Sequence, residues 1–187
     1  MSSPDRTLSR RLFGLACAGL LALSTAGCFQ PMYAQSTPGG GSQLRTELAD
    51  IEVLFVGGRV GNEVRNDLIF ALTGGAGNPS GVPYQLVMQV TESKQAAIVD
   101  SVSGLSEVGL VTVSAWWQLY EVAAPGKERK QLAGGSAFGK ASLDAGYQRF
   151  ARDRAIRDAQ NRSATVVADQ IRTQLSSYFV QKSAPKS

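Results

Sequence analysis

The stretch "LVTVSAWWQLYEV" (110–122) decides the fold. It is rich in β-branched and aromatic residues and contains neither Gly nor Pro, so it predicts a strand. Period-two alternation puts Val113, Ala115, Trp117 and Leu119 on one face and Trp116, Tyr120 and Val122 on the other. One tryptophan belongs to a core. The other needs a second apolar surface, supplied either by a long loop of this chain or by a partner. Trp116 and Tyr120 are therefore the candidate partner surface.

Reading downstream, "APGKERK" (124–130) combines Pro-Gly turn chemistry with four charges and predicts a hairpin connection. "QLAGGSAFGKASL" (131–143) returns as a Gly-rich strand, expected to be bulged or at an edge. From Ala145 to about Phe179 the period becomes helical. Ala151, Ala155, Ala159, Ser163, Val166, Val167, Ile171, Leu175 and Tyr178 form a narrow stripe of mostly small residues that can lie close to a sheet. The opposite face carries charges four apart, Arg149–Asp153, Asp153–Arg157, Arg154–Asp158 and Asp158–Arg162. Such pairs support a helix without defining a site.

Upstream, "VPYQLVMQVTE" (82–92) alternates as a half-buried strand that can extend through 96–100. "LADIEVLFV" (48–56) predicts another strand, with Ile51, Val53 and Phe55 on one face. Between them Val60, Val64, Leu68 and Leu72 are spaced as one helix face, and Gly74 is placed for a C-cap. "GGRVG" (57–61) has the glycines of a phosphate loop but not its Lys-Ser/Thr, and reads as a turn before that helix. The order strand–helix–strands–long helix implies an α+β two-layer sandwich, a mainly antiparallel sheet with two helices packed on one face.

The beginning of the chain is an address. Arg6, Arg10 and Arg11 precede an uncharged run, Leu12 to Ala26, too short for a comfortable bilayer span and followed by a polar linker. This is the pattern of a signal peptide. Ser9-Arg10-Arg11-Leu12-Phe13 also resembles the start of a twin-arginine signal, so the export route stays open. The exit Thr25-Ala26-Gly27-Cys28 resembles a bacterial lipobox, with Cys28 as the acylated mature N-terminus. An ordinary secretory cut near Ala26 or Ala34 is the competing reading. A diacylglyceryl group with an amide-linked chain exceeds the two acyl chains that stable anchoring needs. The expected organisation is signal 1–27, lipidated N-terminus and tether 28–45, folded domain 46–180 and tail 181–187.

Three of the 19 basic and one of the 15 acidic residues lie in 1–27, leaving 16 basic against 14 acidic side chains. A near-balanced charge gives no footprint for nucleic acid. The chain has no histidine, and its two cysteines, Cys17 and Cys28, are assigned to the signal and the lipid. The commonest general base and metal ligand is thus missing. No cofactor, metal site or catalytic residue is expected, and the chain is not expected to be an enzyme.

In their order behind a lipobox, "CFQPMY", "GRVGNEVRNDLIFAL", "YQLVMQV", "WWQLYEV" and "YQRFARDRAIRDAQNRSATVVADQIRTQL" resemble the LptE family of lipopolysaccharide-assembly lipoproteins in its alphaproteobacterial form. The resemblance covers nearly all of 28–179, although the family has Gly where Phe29 follows the cysteine. It implies an outer-membrane lipoprotein that plugs the lumen of the LptD β-barrel and helps deliver lipopolysaccharide to the outer leaflet. The basic residue and Asp near the start of the family's last helix match Arg152-Asp153. Arg152, with Arg149 beside it, is therefore the expected headgroup contact, and Lys127, Arg129 and Lys130 are a second basic patch. The other reading is an accessory lipoprotein of a different envelope lipid-trafficking complex.

Overall fold

The computed structural model describes residues 41–99, 106–122, 129–144 and 149–183, with backbone only at 41–42, 97–99, 106–107 and 149. Cys28, the signal and the hairpin residue Lys127 lie outside the described residues. The elements are α1 (Gly41–Ala49), β1 (Ile51–Val53), α2 (Arg59–Thr73), β2 (Tyr84–Val99), β3 (Ser106–Glu121), β4 (Lys130–Asp144) and α3 (Arg149–Ser183). The sheet order is β1-β2-β3-β4. β1 runs parallel to β2, and the other neighbours are antiparallel. The fold is α+β, with α2 and α3 over one face of an open sheet.

Alternation along β3 sorts the two tryptophans as the sequence predicts. Val111, Val113, Ala115, Trp117 and Leu119 are buried, and Trp116 is 58% exposed. The buried face meets Leu86 and Met88 of β2 and Ala137, Ala141 and Leu143 of β4. Trp117 Nε1 donates to Gln174 Oε1 of α3 at 2.8 Å, so the buried indole N–H is satisfied. β4 is both an edge strand and bulged. The register slips where Leu119 pairs with Ala133 and Tyr120 with Gln131, leaving Leu132 as the extra residue.

Two glycines in β4 adjust its distance from α3. Gly135 lies opposite Trp117, where a Cβ would come within 3.0 Å of the indole ring. Gly139 lies under Ser163, where a Cβ would overlap the Ser163 carbonyl oxygen. Only a bare backbone allows α3 to come this close.

The outer edge of β4 is capped by the same helix. Gln170 accepts from the Phe138 N–H at 3.1 Å and donates Nε2 to the Phe138 carbonyl at 3.0 Å. Gln174 Nε2 donates to the Ser136 carbonyl at 3.0 Å, and Arg162 Nη2 to that of Ser142 at 2.9 Å. Side chains of one helix stand in for a fifth strand and occupy backbone groups that would otherwise attract another chain.

The buried face of α3 departs from the expected stripe. Ala159, Ser163, Val167, Ile171 and Leu175 are buried, but Val166 is 43% exposed and Ala151 is also exposed. Ala164, Ala168, Ser176 and Phe179 are buried in their place. The helix packs on α2 as well as on the sheet, so its covered face widens toward α2. Along that seam Thr165 Oγ1 donates to Asp67 Oδ2 at 2.8 Å. Of the expected i,i+4 pairs, Asp158–Arg162 closes at 2.8 Å. At the far end Lys182 Nζ donates to the Tyr84 hydroxyl at 2.8 Å, which holds its pKa above the usual lysine value.

β1 is shorter than the predicted strand 48–56. Asn78 brackets Val53, accepting from its N–H at 3.0 Å and donating to its carbonyl at 3.2 Å. Arg65 Nε donates to the carbonyls of Val53 and Leu54, each at 3.2 Å. The N–H and carbonyl of Val53 face away from β2, so Asn78 closes the outer edge of β1. Arg65 takes the Leu54 carbonyl, and pairing to β2 stops after Leu54 N–H reaches the Leu86 carbonyl. Phe55, expected beside Ile51 and Val53, is instead 79% exposed. The residues before β1 form α1, with Leu44 and Leu48 buried, where the sequence reading has the end of a tether and the start of a strand. α2 follows its predicted face, with Val60, Val64, Leu68 and Leu72 buried. Gly58 precedes it at φ 81°, and Gly74 caps it in the left-handed conformation, donating to the Phe70 carbonyl. "GGRVG" is thus the turn into a helix.

Candidate functional site

Two features stand out, one on each side of the sheet. The first is the face away from the helices. Trp116 sits between Gln89 of β2 and Ser136 of β4, and Gln118 between Val87 and Gly134. Because Gly134 has no side chain, the surface sinks beside the indole into a hollow of about 630 Å³. Val87, Gln89, Trp116, Gln118, Gln131 and Ser136 are among its lining residues, none of them charged. Tyr120 is half-buried and donates its hydroxyl to Gln118 Oε1 at 2.8 Å. Phe138 is 57% exposed, with Lys140 Nζ 5.8 Å from its ring centroid. This face therefore offers two aromatic rings in an amide-rich surround, suited to burial against a partner that is itself partly polar. Trp116 and Tyr120 share this face, with Gln118 between them. Phe138 is an addition, because its direction depends on the β4 register.

The second feature is a small basic hollow of about 170 Å³ at the start of α3. Arg152 and Ile156 line it from the helix, Lys94 and Ala96 from β2, Leu110 from β3 and Leu143 from β4. Lys94 pairs with Glu92 at 3.4 Å, whereas Arg152 is exposed. Two cations at the rim of an apolar hollow can receive an anionic head attached to an apolar body. Sequence reasoning found Arg152 but missed Lys94, which only the fold brings alongside. Arg149 is the first residue of α3, and its side chain lies outside the described residues. Arg129 and Lys130 are exposed at the hairpin end of the sheet.

A polar bridge holds this end together. Arg59, the first residue of α2, donates Nη1 to Asn161 Oδ1 at 2.9 Å and Nη2 to Gln160 Oε1. Gln160 is buried and donates Nε2 to Glu92 Oε2 at 2.6 Å. The chain Arg59–Gln160–Glu92–Lys94 thus joins α2, α3 and β2. No local pattern announces it, because its members are distant in sequence and ordinary in type.

Among solved structures, a candidate lipoprotein from Caulobacter crescentus CB15 is similar over 76% of this chain and 99% of its own, with 24% identity and a TM-score of 0.61. A minor lipoprotein from Acinetobacter baumannii is similar over 69% of this chain and 92% of its own, with 15% identity and a TM-score of 0.51. This chain shares their fold. Rare lipoprotein B from Shewanella oneidensis, with 14% identity and a TM-score of 0.46, is too distant to bear on it. No protein-family profile matches the chain, and no curated protein is significantly similar to it.

Proposed function

We propose that this chain is an outer-membrane lipoprotein of the LptE type, anchored through Cys28, that plugs an LptD-like β-barrel and assists lipopolysaccharide delivery without catalysing a reaction. The observation that carries the reading is the coincidence of a lipobox-like exit before Cys28 with a domain sharing the fold of two lipoproteins. The surface supports it. A protein seated in a polar barrel lumen needs an amide- and charge-rich exterior with few apolar anchors. The open sheet face, with Trp116, Tyr120 and Phe138 among glutamines, is the surface assigned to the barrel. The basic hollow is assigned to the lipid.

Lipid A carries phosphates on an acylated sugar, and an arginine fork binds phosphate bidentately better than an ammonium does. Arg152 and Lys94 flank apolar side chains there, so a phosphate and the first carbons of an acyl chain can be held together. Arg149 lies three residues before Arg152, near the helix N-terminus, where the backbone dipole favours an anion. The double reversal Arg149→Glu/Arg152→Glu is expected to weaken binding of purified lipopolysaccharide several-fold at low salt. The parent's binding should weaken as salt rises, because exposed charges are screened. The circular dichroism spectrum should not change. Equal binding by parent and double variant would reduce the start of α3 to a solvated surface.

A further inference from the structure

The geometry points to a further binding surface, the outer edge of β2, which pairs antiparallel with the same edge of a second copy of this chain. The two sheet edges are treated differently. That of β4 is capped by Gln170, Gln174 and Arg162. That of β2 is strand-paired only at Tyr84–Leu86, by the three residues of β1. The Leu86 carbonyl points toward β1, so the backbone groups of Met88, Val90, Glu92, Lys94 and Ala96 point the same way. None of these outward groups has a hydrogen-bond partner among the described residues. Side chains 91–96 are all exposed, and a hollow of about 210 Å³ separates Val90–Glu92 from the Gly57–Gly61 turn. A bare edge of this length is a template for another strand.

Charge selects the occupant and the register. Centred on Ser93, two copies running antiparallel put Glu92 opposite Lys94 of the other copy and Lys94 opposite its Glu92. Val90 then faces Ala96, and the hydrogen-bonded pairs join the even-numbered residues, whose backbone groups point outward. Moving the centre by one residue to either side brings Glu92 against Glu92 or Lys94 against Lys94, which is unfavourable. The within-chain contact of Glu92 with Lys94 becomes a ring of four alternating charges, and Gln160 already orients the Glu92 carboxylate. A two-fold contact of this kind is self-complementary and closes at two copies. An edge alone buries little area, so the pairing belongs to the micromolar range.

The inference does not depend on the transport reading, and its test separates the two. The full chain in mild detergent should sediment as a concentration-dependent dimer. Glu92→Lys and Lys94→Glu should each weaken the dimer about tenfold or more by opposing like charges. The double variant Glu92→Lys/Lys94→Glu should restore it, because the swapped charges again face their opposites. Circular dichroism on each variant confirms that the fold is intact. A parent that stays monomeric throughout the micromolar range would overturn the proposal. So would a double variant no tighter than the single ones, or a β2 edge whose amides become protected from exchange only when a different polypeptide is added. Lys94→Glu also removes a cation from the basic hollow and is expected to weaken lipopolysaccharide binding, so the dimer is read by sedimentation without lipid. A dimer that fails leaves the Arg149→Glu/Arg152→Glu result untouched.

Discussion

Gly139→Ala is expected to lower the thermal midpoint of the domain by roughly 10 °C, through a loss of ~3 kcal/mol. The substitution adds one carbon on the solvent-excluded side of an edge strand. That carbon would overlap the Ser163 carbonyl oxygen and lie 3.0 Å from the carbonyl carbon. These are backbone atoms of a 35-residue helix, so no side-chain rotation relieves the clash. Relief requires α3 to lift from β4, which loosens the contacts of Val167 and Ile171 and strains the edge caps from Gln170 and Gln174. Ser136→Ala, on the opposite face of the same strand, should change the midpoint little. A Gly139→Ala domain that melts with the parent would mean that α3 does not lie this close.

Trp117→Ala should cost ~3–5 kcal/mol, the other large effect. The ring is 4% exposed, so its removal leaves a cavity. It also strips Gln174 Oε1 of the indole N–H it accepts, at the residue that caps the β4 edge. Trp116→Ala is the matched control. That ring is more than half exposed on the open face, so its loss should stay within about 0.5 kcal/mol in the isolated domain. It should instead weaken association with the barrel. Chemical denaturation of both variants measures the contrast. Equal losses would put both rings in the core and remove the partner surface.

Much of this fold was legible because alternation and helical period are local properties. Val113, Ala115, Trp117 and Leu119 sort to the core by position alone, as do Val60, Val64, Leu68 and Leu72. The misses occur where a distant residue overrides a local preference. Phe55 belongs to a good strand sequence, but Arg65 takes the Leu54 carbonyl that continued pairing with β2 would have used. Val166 fits the stripe of α3, yet the position of α2 turns the buried face toward Ala164 and Ala168. Gln170 and Gln174 are unremarkable in sequence. Their role appears only once an edge strand lies beneath them. The candidate site divides the same way, with Arg152 and Trp116 readable from motif and alternation, while Lys94 and Phe138 depend on register.

Whether the chain is a lipid-anchored subunit seated in an outer-membrane barrel is tested by purifying the tagged full chain from native membranes in mild detergent. The expected result is recovery from the outer membrane, with Cys28 acylated by mass spectrometry and one large β-barrel protein in equal amount. Recovery without a barrel, from the inner membrane with an ATP-driven transporter, or with Cys28 as a free thiol would contradict it.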